Sequence, residues 1–277
     1  MDSVYGDMIK SNFHTHTTYC DGKNSPFEIA EFAHNLGVKT LGFSAHSFID
    51  EENAYWTLSP KNTENYKADV LRIKEEYHGK MDVLLGIEQD YFSTFKKGEY
   101  EYAIGSVHAI KKGGKLLPVD YSAETTQAII KELYNGKFDD YAKDYFKLVE
   151  EIPNVMDADI IGHIDVITKF VNRLNITLTD TYYEYAFKAI ERLAKLKIPF
   201  EINTGVIIRG YKDTPYPDLT LLKKIKDLNC DVIYSSDCHQ KEQILFGFED
   251  ALNLAKSVGF KRICRLTKSG YEYDSLD

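Results

Sequence analysis

Seven short apolar runs, at 10–15, 39–44, 82–87, 102–107, 159–162, 198–203 and 231–235, alternate along the chain with longer amphipathic stretches. Each run is rich in Val, Ile, Leu, Phe or Tyr and has strand length, whereas the stretches between them carry apolar residues at helical spacing. Such alternation is the pattern of βα units, whose strands lie parallel beneath covering helices. A chain of 277 residues, 43% of them hydrophobic, can bury a large core and is close to the size of an α/β barrel. The expected fold is α/β, a distorted TIM-like (β/α)7 barrel forming one domain over residues 1–277.

Helix boundaries are written into the intervening stretches. Ser25 and Pro26 open a segment closed by Gly37, and Pro60 opens one over 60–78 closed by Gly79. An N-cap hydroxyl, a first-turn proline and a terminal glycine are the chemistry of helix ends. Further helices are expected over 123–134, 139–152, 180–196, 218–228 and 249–258. No internal repeat, low-complexity stretch or linker interrupts the series.

The net charge of −9 repels a polyphosphate backbone, which argues against a nucleic-acid partner. A small phosphate ester is compatible with it, because bound cations dominate the potential inside a site. No run reaches the ~18–20 apolar residues of a membrane span, and the opening MDSVYGDMIKSNF lacks a signal-peptide core. A cytoplasmic protein without a membrane partner is expected. Cys20, Cys230, Cys238 and Cys264 form no CxxC pair, so neither a disulfide framework nor a thiolate zinc site is indicated.

Metal-binding residue types fall where these runs end. His14 and His16 close the first, His46 follows the second, Glu88 ends the third, His108 the fourth and His163 the fifth, while Asp237 and His239 follow the last. In a closed barrel the C-terminal strand ends converge on one mouth. Side chains alternate along a strand, so His14 and His16 are expected on one side with Thr15 opposite, and likewise Asp237 and His239 with Cys238 opposite. The two other histidines, His34 and His78, fall in helices, His78 in a last turn that favours positive charge, and neither is expected to bind metal. Singly, an HxH or a lone histidine is more often a hydrogen-bonded structural group. Jointly, so many buried imidazoles and carboxylates without a cation would carry large desolvation and repulsion costs, so a metal cluster is the simpler account.

The motifs HTHTTYCDG at 14–22, FSAHS at 43–47, GIEQDY at 86–91, GSVH at 105–108, GHID at 162–165, EINT at 201–204 and SDCH at 236–239 resemble, across essentially the whole chain, the PHP (polymerase and histidinol phosphatase) family of metal-dependent phosphoesterases. With aspartate after the HxH, the opening motif is similar to the stand-alone histidinol-phosphate phosphatase branch, which implies hydrolysis of L-histidinol phosphate in histidine biosynthesis. The resemblance further implies one metal on His14, His16, Glu88 and Asp237, a second on Glu88, His108 and His163, and a third on Asp21, His46 and His239. Two to three divalent ions, zinc, manganese or iron, suit these mixed nitrogen and oxygen sets, which argue against a magnesium-only site. The expected chemistry is attack on phosphorus by a hydroxide bridging two metals, with Glu88 as the bridge and Asp21, His239 or a metal-bound water protonating the leaving alcohol.

Cationic side chains near the mouth are expected to orient phosphate. Arg209 is placed first, with Lys169 and Arg173 as alternatives whose bland reading is a solvated charge. Asn203 ends a strand that lacks a ligand and is a candidate for substrate or for supporting a ligand. Ser47, Gln89 and Ser106 adjoin ligands and carry the same two readings. Tyr91, Trp56 and Phe48 are candidate pocket walls, and Asp50, Glu51 and Glu52, in the loop 49–59, are candidates for receiving an imidazole and an amine. The alternative functions are a PHP phosphoesterase for another small ester, such as a nucleotide or sugar phosphate, and a non-catalytic metal-binding protein.

Overall fold

A computed structural model describes residues 5–94 and 97–277. Its strands are β1 (Ser11–Asn12), β2 (Thr40–Phe43), β3 (Asp82–Asp90), β4 (Tyr102–Ser106), β5 (Ala109–Lys112), β6 (Lys115–Pro118), β7 (Ile160–Ile161), β8 (Phe200–Asn203), β9 (Val232–Ser235), β10 (Arg262–Thr267) and β11 (Gly270–Ser275). The helices are α1 (Pro26–Asn35), α2 (Pro60–Glu76), α3 (Ala123–Leu133), α4 (Phe138–Val155), α5 (Asp180–Leu193), α6 (Gly205–Ile208), α7 (Leu219–Asp227) and α8 (Phe248–Val258). Seven strands form one parallel sheet in the order β1-β2-β3-β4-β7-β8-β9, which is the expected set. The sheet curls until its two edges meet. Thr15 pairs with Cys238, the His16 N–H donates to the Cys238 carbonyl at 2.9 Å, and the Cys238 N–H donates to the His14 carbonyl at 3.2 Å.

The helix ends follow their local chemistry. Ser25 caps α1 in a reciprocal capping box with Glu28, Ser59 caps α2, and Gly37 and Gly79 take the left-handed conformation that stops each chain segment. Buried faces of α1 and α2 pack over β2 and β3, and those of α3, α4, α5, α7 and α8 cover much of the rest. Inside the barrel, Phe13, Leu84, Tyr102, Ile104, Ile160 and Ile233 form a cluster completed by Cys264 and Leu266 of the β10–β11 hairpin. The interior is thus a packed core that leaves the opposite, C-terminal mouth for chemistry.

Tyr102 organises this floor. Its hydroxyl donates to the Phe13 carbonyl at 2.6 Å, and its ring lies so close to Gly86 that a Cβ there would overlap it. Gly86→Ala is therefore expected to cost about 1–3 kcal/mol through overpacking. The check is a lowered urea midpoint with unchanged slope; a wild-type midpoint would mean that the ring has room to move.

Two hairpins fall outside the expected set. β5 and β6 turn through Gly113 and Gly114, both at positive φ, the geometry of a tight two-residue connection. β10 pairs antiparallel with β11. Among the described residues no helix is long and apolar enough to cross a membrane.

Candidate active site

The barrel mouth gathers all nine histidine and carboxylate side chains that the sequence singles out as ligands. Glu88 stands at the centre, fully buried. Its Oε2 lies 3.2 Å from His14 Nε2, 3.6 Å from His16 Nε2 and 2.8 Å from His46 Nδ1. Its Oε1 lies 3.2 Å from His108 Nε2 and 3.0 Å from His163 Nε2. Asp237 Oδ1 approaches His16 Nε2 at 3.0 Å and His14 Nε2 at 3.6 Å. On the more open side, Asp21 reaches His239 Nε2 at 3.2 Å and His46 Nε2 at 3.7 Å.

These separations fit cations. Two ligand atoms each ~2.1 Å from a tetrahedral ion lie ~3.4 Å apart, which falls within the observed 2.8–3.7 Å. His14 Nε2, His16 Nε2, His46 Nδ1 and Glu88 Oε2 are buried yet make no hydrogen bond, and uncompensated polar atoms of that kind are costly. Four groups of three or four residues have ligand atoms close enough to share an ion: His14, His16 and Asp237; His46, Glu88 and His108; His16, Asp21, His46 and His239; and His14, His163 and Glu201.

The electrostatics point the same way. Burial alone would raise the Glu88 carboxyl, but the imidazoles of His14, His108 and His46 hold it well below the carboxylate range. Burial would lower His14, yet Glu201, Glu88 and Asp237 raise it far above an ordinary imidazole. His16 is pushed down to about 3 by burial and by the charges of His239 and His46. Carboxylates that draw protons onto neighbouring imidazoles create a place where a metal ion can replace those protons.

The pairs form by two different routes. His14 and His16 flank Thr15, whose N–H donates to Ser44 Oγ at 3.0 Å, so strand alternation turns both rings to the mouth as expected. Asp237 and His239 do not follow that rule. β9 ends at Ser235, and Asp237 adopts φ +47°, a left-handed conformation that aspartate tolerates better than most residues.

A further ring of partners orients the rings. His14 Nδ1–H donates to Glu201 Oε1 at 2.6 Å, leaving Nε2 for the cluster. The same carboxylate accepts from the His163 N–H at 2.8 Å, from Asn203 Nδ2 at 3.1 Å and from the Ser235 hydroxyl. Asp90 does the equivalent for His108, accepting from its N–H at 2.9 Å and its Nδ1 at 3.1 Å. Both carboxylates lie inside quoted motifs, EINT and GIEQDY, but the reading of the residues gave neither a role. The available signal was the same alternation, since Glu201 and Asn203 share one face of β8, as do Glu88 and Asp90 on β3.

The cluster floors a pocket of about 300 Å³ whose walls include Tyr55, Trp56, Pro118, Asp120, Tyr121, Val166, Lys169, Arg209 and Tyr216. Arg209 is anchored at its edge: Nη2 donates to Asp237 Oδ2 at 2.8 Å and Nη1 to the Asp237 carbonyl at 3.0 Å, while the buried Nε has no partner. Lys169 lines the pocket but is engaged with Asp120. Arg173 is not among the lining residues, because its guanidinium stacks on Tyr211, 4.4 Å from the ring centre. Asn203 spends its amide on Glu201 and on the Gly205 N–H and is not among the lining residues. Trp56 reaches the wall, whereas Tyr91, bonded to Glu151, and Phe48 do not. Ser47 Oγ accepts the Asp90 N–H, Ser106 Oγ is buried without a partner, and Gln89 does not line the pocket. Asp50, Glu51 and Glu52 also lie outside the lining, with Glu51 paired to Lys111 at 2.6 Å.

Comparison with known proteins agrees with this architecture. A protein of Deinococcus radiodurans described as "Probable histidinol-phosphatase" is 26% identical over 260 residues, covering 90% of this chain and 94% of that one. The histidinol-phosphatase of Bacillus subtilis is 22% identical over 265 residues, covering 87% and 98%. The crystal structure of histidinol phosphate phosphatase from Lactococcus lactis subsp. lactis, complexed with zinc, L-histidinol and phosphate, superposes with a TM-score of 0.75 at 18% identity, covering 95% of this chain and 98% of that one, a likeness of fold. The PHP domain family matches residues 12–205, a span holding every candidate ligand except Asp237 and His239. With that match across most of its length, the chain belongs to the PHP domain family.

Proposed function

We propose that this chain is a metal-dependent phosphomonoesterase that hydrolyses L-histidinol phosphate to L-histidinol and phosphate, acting in the cytoplasm in histidine biosynthesis. The observation that carries the reading is the set of bare, buried donor atoms around Glu88, spaced for cations, beneath a pocket edged by Arg209. The substrate is suggested by the names of the two relatives and by the ligands of the Lactococcus lactis structure.

His14, His16, Glu88 and Asp237 would hold one ion, Glu88, His108 and His163 a second, and Asp21, His46 and His239 a third. Zinc, manganese and iron all suit these sets. Divalent ions so bound lower the pKa of water from 15.7 toward about 7 and offset charge on the phosphoryl oxygens. The chain's own residues bind, orient and pass protons. Arg209, fixed on Asp237, lines the pocket edge and is the cation for the phosphate. Asp21 and His239, joined at 3.2 Å on the open side, stand where a proton can reach the departing alcohol. Tyr216, whose ring lies edge-on to His163, forms part of the pocket wall.

The test is a phosphomonoester panel assayed on protein reconstituted with zinc or manganese. L-histidinol phosphate is expected to exceed nucleotide and sugar phosphates in kcat/KM by at least about a hundredfold, the discrimination available to a site that hydrogen-bonds its substrate. A flat profile, or a preference for a nucleotide or sugar phosphate, would overturn the assigned substrate, and no hydrolysis at all would overturn the enzyme.

A further inference from the structure

The barrel closes along a seam that has no strand ladder. From β1 round to β9 each neighbouring pair of strands is joined by parallel pairing, but β1 and β9 share none among the described residues. Backbone bonds cross the seam beyond the strand ends, from His16 to Cys238, from Cys238 to His14 and from Lys23 to His239. Yet two of the ligand groups depend on it. His14, His16 and Asp237 come from its opposite sides, as do Asp21 and His239. Glu88, His108 and His163 belong to β3 or follow β4 and β7, which ladders hold together.

One side chain fills the gap. Asn12 is fully buried, and its Oδ1 accepts the Ser236 N–H at 3.1 Å from across the seam and the His14 N–H at 3.5 Å from its own side. Its Nδ2 donates to Ser236 Oγ and to Thr15 Oγ1, each at 3.0 Å, and to the His14 carbonyl at 3.2 Å, and it reaches Cys238 Sγ at 3.8 Å. Chemistry fixes this orientation, because the oxygen must meet the two N–H groups and the nitrogen the carbonyl. The Ser236 hydroxyl donates onward to the Ile244 carbonyl at 3.1 Å, which anchors the chain beyond His239.

A side-chain amide carries the same donor and acceptor types as a peptide group, so Asn12 supplies at the seam what pairing supplies elsewhere. It grips His14 itself on one side and, on the other, the residue before Asp237. We propose that Asn12 is a positioning residue of the metal centre, which sets the His14–His16 pair against the Asp237–His239 pair and so fixes the fit of ions whose ligands cross the seam. This rests on the reading of the cluster as a metal centre.

The experiment is a chelator competition titration of zinc-reconstituted wild type, Asn12→Ala, Asn12→Asp, Ser236→Ala and Val149→Ala, with urea midpoints measured on the metal-free proteins. Val149 is buried in α4, which packs on α5 and contributes no ligand, so it controls for stability loss alone. Asn12→Ala should bind the seam-crossing ions at least about tenfold more weakly, while about one ion per chain keeps its wild-type affinity. Asn12→Asp retains an oxygen for both N–H groups, and both hydroxyls can turn to donate to it, so part of the loss should be recovered. Ser236→Ala removes a single bond across the seam and should weaken the same ions about two- to fivefold, a result that stands even if Asn12→Ala does not fold. Val149→Ala should lower the urea midpoint and leave every affinity unchanged. Unchanged zinc affinity in Asn12→Ala and Ser236→Ala, equal weakening of all the ions, or the same weakening in Val149→Ala would each overturn the proposal. A wild type that takes up no zinc would overturn the metal centre itself, and the role of the seam with it.

Discussion

Glu88→Gln is expected to lower kcat/KM by at least about a thousandfold and to strip the protein of metal while the barrel stays folded. The glutamine side chain has the same shape, and β3 keeps its register, in which Glu88 pairs with Ile104. What changes is charge and ligand strength. Both Glu88 oxygens face imidazole nitrogens, those of His14, His16 and His46 on one side and of His108 and His163 on the other. An amide offers one weak acceptor and one donor there, so either half of the cluster loses its anionic partner. Elemental analysis should find two to three ions per chain in the wild type and fewer than one in the variant, with matching circular dichroism. A variant that keeps its metal and near-normal turnover would remove Glu88 from the centre of the mechanism.

The sheet was legible because its signal is local. Apolar runs of strand length and capped helices between them specify βα units, and parallel strands in a barrel force the C-terminal ends together. That is why His14, Glu88, His163 and Asp237, far apart in sequence, could be expected at one mouth. The hairpins were less legible. The β5–β6 turn is announced by Gly113 and Gly114, but its flanks, AIKK and KLLP, are too short to stand out beside the barrel runs. It nonetheless leads to Asp120, so a pocket wall went with it. Roles that depend on three-dimensional partners were the least legible. Arg173 and Lys169 look alike in sequence as cations after GHID, and both approach the Tyr211 ring; only packing puts Lys169 beside Asp120 in the pocket wall and leaves Arg173 outside it. Glu201 was invisible as a functional group for the same reason, since its importance lies in the atoms it touches.

That dependence makes Glu201→Gln the sharper test of how the cluster is held. The carboxylate is buried and held well ionised, burial being overridden chiefly by His14. It accepts from four donors: His14 Nδ1–H and the Ser235 hydroxyl at Oε1, and the His163 N–H and Asn203 Nδ2 at Oε2. Glutamine cannot satisfy this set in either orientation. With its NH2 at the Oε2 position it opposes two groups that can only donate. With its NH2 at the Oε1 position it drives His14 to accept at Nδ1, which moves the ring proton to Nε2 and blocks the atom aimed at the cluster. Metal affinity should drop about 10–100-fold, the usual cost of losing an outer partner of a ligating histidine. A chelator competition titration reads this directly, and kcat/KM at saturating metal should recover more fully than in Glu88→Gln. The metal-free variant should also lose about 1–3 kcal/mol of stability from its mismatched buried donors. Unchanged metal affinity alongside that stability loss would mean that Glu201 serves the fold alone and that His14 finds its orientation without it.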